Sequence, residues 1–222
     1  MPPQLLRASA EPQRHVVVFD VNIYLDVANL AGPPFTWDKF DAVAASAARQ
    51  PVPHPADVAY DSLRAIASCT SGRFAGSETL EVFTNSHIDR MVRGKARQPA
   101  TTDPETGFRG LGWSPEDASG LVTDLIGGLL ERSLGGTLGD TFPDGNPPLD
   151  HEDGMVYGAY KCLASDDPVS TVYCVTRDGG FIDAGASGAL GSYAKVLHPT
   201  TFVRLVRAAR ACYAMPGMLS RP

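Results

Sequence analysis

The chain has 222 residues, 43% of them hydrophobic and 20% charged, with a formal net charge of −6. That length and balance suit one α/β domain that buries its own core without disulfides or a structural metal, and they exclude wholesale disorder. The acidic balance argues against a generic nucleic-acid binder, which needs a basic surface, unless acids converge on divalent cations that invert the local charge.

Residues 1–14 read as a flexible N-terminus without an apolar stretch of signal-peptide length, so export is not expected and the cytoplasm is the expected location. The first clear element is the run Val16 to Phe19, four apolar residues rich in β-branching that predict a buried parallel strand ending at Asp20. Apolar runs of this length fall far short of the roughly 20 residues that span a bilayer, so no membrane association is expected. After Asn22, IYLDVANLA predicts a helix that stops at Gly32 and the Pro33-Pro34 pair. Thr36 caps a second helix whose Phe40, Val43, Ala44 and Ala47 recur at helical spacing. Prolines 51, 53 and 55 interrupt it, and a third helix follows with Val58, Leu63 and Ile66 facing inward.

Leu80 to Phe83 predicts a second strand, followed by a helix from about Ser86 with a basic tail. From Gln98 to Gly112 the chain is polar and turn-rich, which predicts a mobile surface loop. Ser114, Pro115 and the acids after them start another helix, ending near Gly135-Gly136. TLGDTFPDGNPPLD reads as a Pro/Gly loop leading to a helix with Met155, Val156, Ala159 and Cys162 on one face. Val172 to Val175 repeats the opening pattern, an apolar strand followed by Asp178, and Lys195 to Leu197 predicts a last short strand before a helix capped by Thr200 or Thr201. The alternation predicts a three-layer α/β/α sandwich around a mostly parallel sheet, a single domain over 15–212 with an insertion around 94–148 and a tail at 213–222. Cys69, Cys162, Cys174 and Cys212 are widely spaced and form no CxxC, so they read as reduced core residues.

Three separate segments bring carboxylates to one rim of such a sheet: Asp20, Asp178, and the group Asp150, Glu152 and Asp153 at a helix start. Like charges gathered together raise one another's pKa, a cost that a divalent cation removes. Hard oxygen ligands select Mg²⁺ or Mn²⁺, and two such ions about 4 Å apart activate a water and stabilise the leaving oxygen in phosphodiester cleavage. Each acid also has a plainer reading: Asp150 or Asp153 as a helix N-cap, Asp178 as a turn residue. Asp20 is harder to explain that way, because a charge at the end of a buried strand needs a partner.

VVVFDVNIYLD resembles the opening strand of PIN-domain nucleases, with Asp20 and the small polar Asn22. LDHEDGMVYGAYKCLA resembles the central acidic helix of that family, with Asp150 and Asp153 at its two acidic positions. VTRDGGF and KVLHPTTFVRLV resemble its closing motif, with Thr176 and Asp178 in a Thr-x-Asp turn. The resemblance runs in order over most of the chain and implies a PIN-like fold and a Mg²⁺- or Mn²⁺-dependent endoribonuclease. Asp20, Asp150, Asp153 and Asp178 would then be the catalytic and metal-binding acids, supported by Asn22, Thr176 and Glu152. It implies an RNA substrate and, as in toxin ribonucleases, an antitoxin protein; it leaves a homodimer open. The family usually carries a Glu in the helix corresponding to NSHIDRMVRG, where this chain has Met91, with Asp89 as the nearest substitute.

Two rival readings stand beside it. One is a PIN-like domain with weakened catalysis that binds RNA or protein, suggested by Met91 and the acidic charge. The other is a haloacid-dehalogenase-like phosphatase, with VVVFDVN as nucleophile strand and Asp178 and Asp183 as distal acids, which leaves Asp150 and Asp153 without a role. Arg90, Arg93 and Arg97 share one helical face at steps of three and four, and that face reads either as ordinary solvated charge or as an RNA-phosphate contact.

Overall fold

The structure, a computed structural model, describes residues 13–102, 109–166, 170–191 and 194–214. Val16 to Phe19 lie in β1 (Arg14–Phe19), and all four are buried, as a strand covered on both faces requires. Three helices follow, α1 (Val21–Ala31), α2 (Trp37–Ala48) and α3 (Ala59–Cys69), before β2 (Thr79–Asn85). Next come α4 (Ser86–Arg97), α5 (Pro115–Gly120), a π-helical stretch (Leu121–Gly127) and α6 (Gly128–Ser133), leading to β3 (Gly136–Leu138). The chain closes with α7 (His151–Asp166), β4 (Thr171–Val175), α8 (Gly179–Ala186), β5 (Val196–Leu197) and α9 (Pro199–Ala214).

The strands form one sheet in the order β3-β2-β1-β4-β5, every pair parallel. With helices on both faces this is the three-layer α/β/α sandwich that the alternation predicts. The edges are the shortest strands, three residues in β3 and two in β5, which limits the unpaired backbone they offer to other chains. A buried ion pair ties helices together behind the sheet. Arg64 of α3 binds Asp61 at 2.8 Å and the Gln50 and Pro51 carbonyls beyond α2, while Thr200 of α9 donates to Asp61 at 2.9 Å.

Several elements differ from the expectation. The segment after α6 forms β3 rather than loop throughout. Its glycines are what admit the strand, since a Cβ on Gly135 would collide with the Val82 carbonyl of β2. Helix α1 starts directly after Asp20, and α9 starts at Pro199, whose fixed φ suits a first helical position. Val58 precedes α3 and is exposed rather than inward. Cys69 and Cys174 are buried, but Cys162 and Cys212 are exposed. Helix α7 buries Val156, Ala159, Tyr160 and Leu163, because Gly154 and Gly158 let residues 142–144 pack against it, and this turns Cys162 outward. Of the expected mobile loop at 98–112, residues 103–108 lie outside the described ones. The flanks pair with each other, Gly112 N donating to the Gln98 carbonyl at 2.8 Å and Gly110 N to that of Pro99 at 3.1 Å.

Candidate active site

In an open parallel sheet, ligands bind outside the carboxyl ends of the strands, at the point where successive connections leave in opposite directions. Here the chain leaves β1 for β2 and β3 on one side, and α7 returns it to β4 on the other. The switch point is therefore between β1 and β4. Phe19 and Val175 are partners in that ladder. Asp20 follows the first directly, and Thr176, Arg177 and Asp178 follow the second.

Asp20 is 5% exposed and held from several sides. Its Oδ1 accepts from Val21 N at 2.6 Å; its Oδ2 accepts from Thr176 Oγ1 at 2.6 Å and from Asn22 Nδ2. Asn22 in turn accepts from Arg177 N at 3.2 Å, and the Arg177 guanidinium pairs with Asp26 of α1. The turn after β4 is thus stitched to the start of α1, which fixes the base of Asp178. The Asp178 carboxylate accepts from Phe181 N at 2.8 Å as N-cap of α8, and Asp150 accepts from Asp153 N at 2.9 Å at the start of α7. Capping and facing the crevice are compatible, since each cap uses one carboxylate oxygen.

These acids feel one another. Burial pushes the Asp20 carboxyl up to about 6, against the hydrogen bond from Thr176 and the nearby charge of Lys95. Asp153 is pushed up to about 7, first by burial and then by Asp20, Asp150, Asp178 and Glu152. A cavity of about 550 Å³ opens here, lined by Asp20, Asn22, Asp150, Glu152, Asp153 and Asp178, with His87, Lys95 and Gln98 on the α4 side. Among the described residues no three His, Cys, Asp or Glu side chains are drawn together tightly enough to hold an ion as they stand. The donor set nonetheless suits a hard cation. It is all oxygen, and a positive charge among these carboxylates would reverse the repulsion that raises Asp153.

No protein-family model matches the chain, and neither does any curated protein or solved structure with which it was compared. Among the described residues, no helix is long and apolar enough to cross a membrane.

The structure gathers Asp20, Asn22, Asp150, Glu152, Asp153 and Asp178 around one cavity, with buried Thr176 beneath Asp20. Glu152 does not stand alone there, because Lys95 binds it at 2.6 Å. Asp89 is not in the lining; its carboxylate accepts from Thr84 Oγ1 at 3.0 Å, and Met91 packs partly buried against the core. Arg90, Arg93 and Arg97 are exposed and outside the lining, and Arg90 reaches back to His87 Nδ1 at 3.3 Å. The sequence alone gives His87 no role and Lys95 only a place in the basic tail of α4. They stand one helical turn before and after Met91, so placing Met91 toward the crevice was the signal that could have found both.

Proposed function

We propose that this chain is a Mg²⁺- or Mn²⁺-dependent phosphodiesterase acting on RNA, a PIN-like ribonuclease. The observation that carries the reading is the convergence of Asp20, Asp178 and the Asp150–Asp153 segment on one cavity at the switch point, with Asp153 pushed up to about 7 by burial and then by the other acids. The knot of Asp20, Asn22 and Thr176 supports the PIN-like assignment, since it joins residues from the opening and closing motifs of the resemblance. Asp20, Asp153 and Asp178 would hold the cation, with Asp150 beside them. When bound, the ion supplies an activated water and neutralises charge on the phosphate.

The protein's own part is orientation. Thr176 and Asn22 hold Asp20 in one rotamer, and the α8 cap holds Asp178, so the carboxylates are arranged before substrate arrives. A toxin ribonuclease countered by an antitoxin protein is the setting that the resemblance suggests. The phosphatase reading has less support, because its second distal acid, Asp183, is exposed and outside the cavity. The weakened-catalysis reading draws on the absence of an α4 acid from the cavity lining. Cleavage of a single-stranded RNA in the presence of Mn²⁺ decides between them. Asp20→Asn or Asp178→Asn should abolish it with an unchanged circular dichroism spectrum, and full activity in either variant would remove the assignment.

A further inference from the structure

We propose that Lys95 forms a built-in cationic wall for the substrate phosphate, with the neutral imidazole of His87 beside it as a further donor, and that Lys95 fills the part of a second metal ion, so that the acids hold one divalent ion rather than two. The inference rests on the reading of the acids as a metal-dependent phosphodiesterase centre.

Carboxylates reach the cavity from the ends of β1 and β4 and from the start of α7. Among the described residues the α4 side supplies none; its lining residues are His87, Lys95 and Gln98, while Asp89 is held by Thr84. A two-ion site needs acidic ligands around both ions. Here a cation is already covalently present. Lys95 Nζ lies 2.6 Å from Glu152 of α7, its side chain is only 23% exposed, and its charge reaches Asp20. A second divalent ion would meet an ammonium of like sign. An anionic phosphate would meet a point charge with three donors, the common means by which lysine binds phosphate.

His87 gives a separate indication of a ligand. It lines the same cavity and is 7% exposed. Its Nδ1 faces the Arg90 guanidinium, which can only donate, so the ring proton of the neutral imidazole lies on Nε2. Among the described residues, buried Nε2 has no hydrogen-bond partner. A buried donor without an acceptor is costly, and an anion in the cavity that His87 lines would satisfy it once the ring shifts to expose Nε2.

The test is to count Mn²⁺ ions bound per full-length chain by electron paramagnetic resonance of the free ion. Alongside it, binding of a short single-stranded oligoribonucleotide is measured in an Asp20→Asn background, where turnover is stopped. One Mn²⁺ per wild-type chain is expected. Lys95→Met should weaken oligonucleotide binding about tenfold, the worth of one charge-assisted contact. It should also flatten the log-log salt slope by roughly 0.7, the share of one phosphate contact on a single strand. Lys95→Arg should restore both. Two Mn²⁺ per wild-type chain, or unchanged affinity and slope in Lys95→Met, would overturn the inference while leaving the metal-dependent reading intact. A folded wild-type chain that binds no Mn²⁺ would remove that reading and the inference with it.

Discussion

Replacing Asp153 by Asn should make the metal-free protein more stable at pH 8 and leave it unchanged at pH 4. The folded chain holds this carboxyl up at about 7 against a usual 3.8, through burial and then Asp20, Asp150, Asp178 and Glu152. A group that binds its proton more tightly when folded contributes stability below about pH 4. That contribution is lost as pH rises through about 7. The rise from 3.8 to about 7 corresponds to about 4 kcal/mol at 1.36 kcal/mol per pH unit. Partial exposure of the side chain to solvent screening reduces this to ~2 kcal/mol. Among the described residues the Asp153 carboxylate makes no hydrogen bond or ion pair, so the amide forfeits no contact to offset the gain. For a chain of this size, ~2 kcal/mol moves the melting temperature by about 4–8 °C. Thermal melts of both proteins in chelator, from pH 4 to pH 8, measure the gap. With Mn²⁺ at about 100 times its Kd, the wild type should gain about 2.7 kcal/mol, which the variant largely loses, so the order of stability inverts. A gap that does not grow with pH, or a variant less stable in chelator at pH 8, would refute the account of Asp153 as a partly buried carboxyl among like charges.

Other outcomes follow from particular contacts. Asp89→Ala should leave Mn²⁺ binding unchanged, because the carboxylate serves Thr84 and not the cavity. Met91→Glu should lower the melting temperature, since it sets a charge among partly buried apolar packing, and tighter Mn²⁺ binding in that variant would return α4 to the ligand set. If the exposed Arg face of α4 meets RNA, the Arg93→Ala/Arg97→Ala pair should flatten the salt slope of binding by roughly 1.4, the share of two phosphate contacts, and an unchanged slope would make these ordinary surface charges. Asp61→Ala should cost about 3–5 kcal/mol in urea denaturation, because it leaves Arg64, 4% exposed, as an unpaired buried charge.

Much of the fold was legible because its signals are local. The apolar runs of β1 and β4, the Thr36 and Ser114 caps and the prolines between helices each act within a few residues, and each appears where the pattern puts it. β3 was not legible. It is three residues long, and its glycines look like a turn until the Val82 carbonyl is seen to need the space they leave. The exposure of Cys162 is not legible for a related reason: which side of α7 faces inward depends on the loop that packs on Gly154 and Gly158.

The candidate site divides along the same line. Residue type and position after a strand or before a helix single out Asp20, Asp150, Asp153 and Asp178 from the chain alone, because a carboxylate at the end of a buried strand is costly wherever the rest of the protein lies. Their mutual effect is different. The carboxyl of Asp153 rises to about 7 through burial first and then through the neighbouring acids, and both follow from the strand order 3-2-1-4-5 that sets β1 beside β4 and brings α7 across their ends. The positive side of the cavity is likewise a tertiary fact. Lys95 belongs to a basic run that reads as solvated helix surface, and only the packing of α4 near the start of α7 places it 2.6 Å from Glu152, 57 residues along the chain. Charge type is a local property and can be read in order along the chain; charge pairing falls off with distance through space, and the fold alone sets that distance.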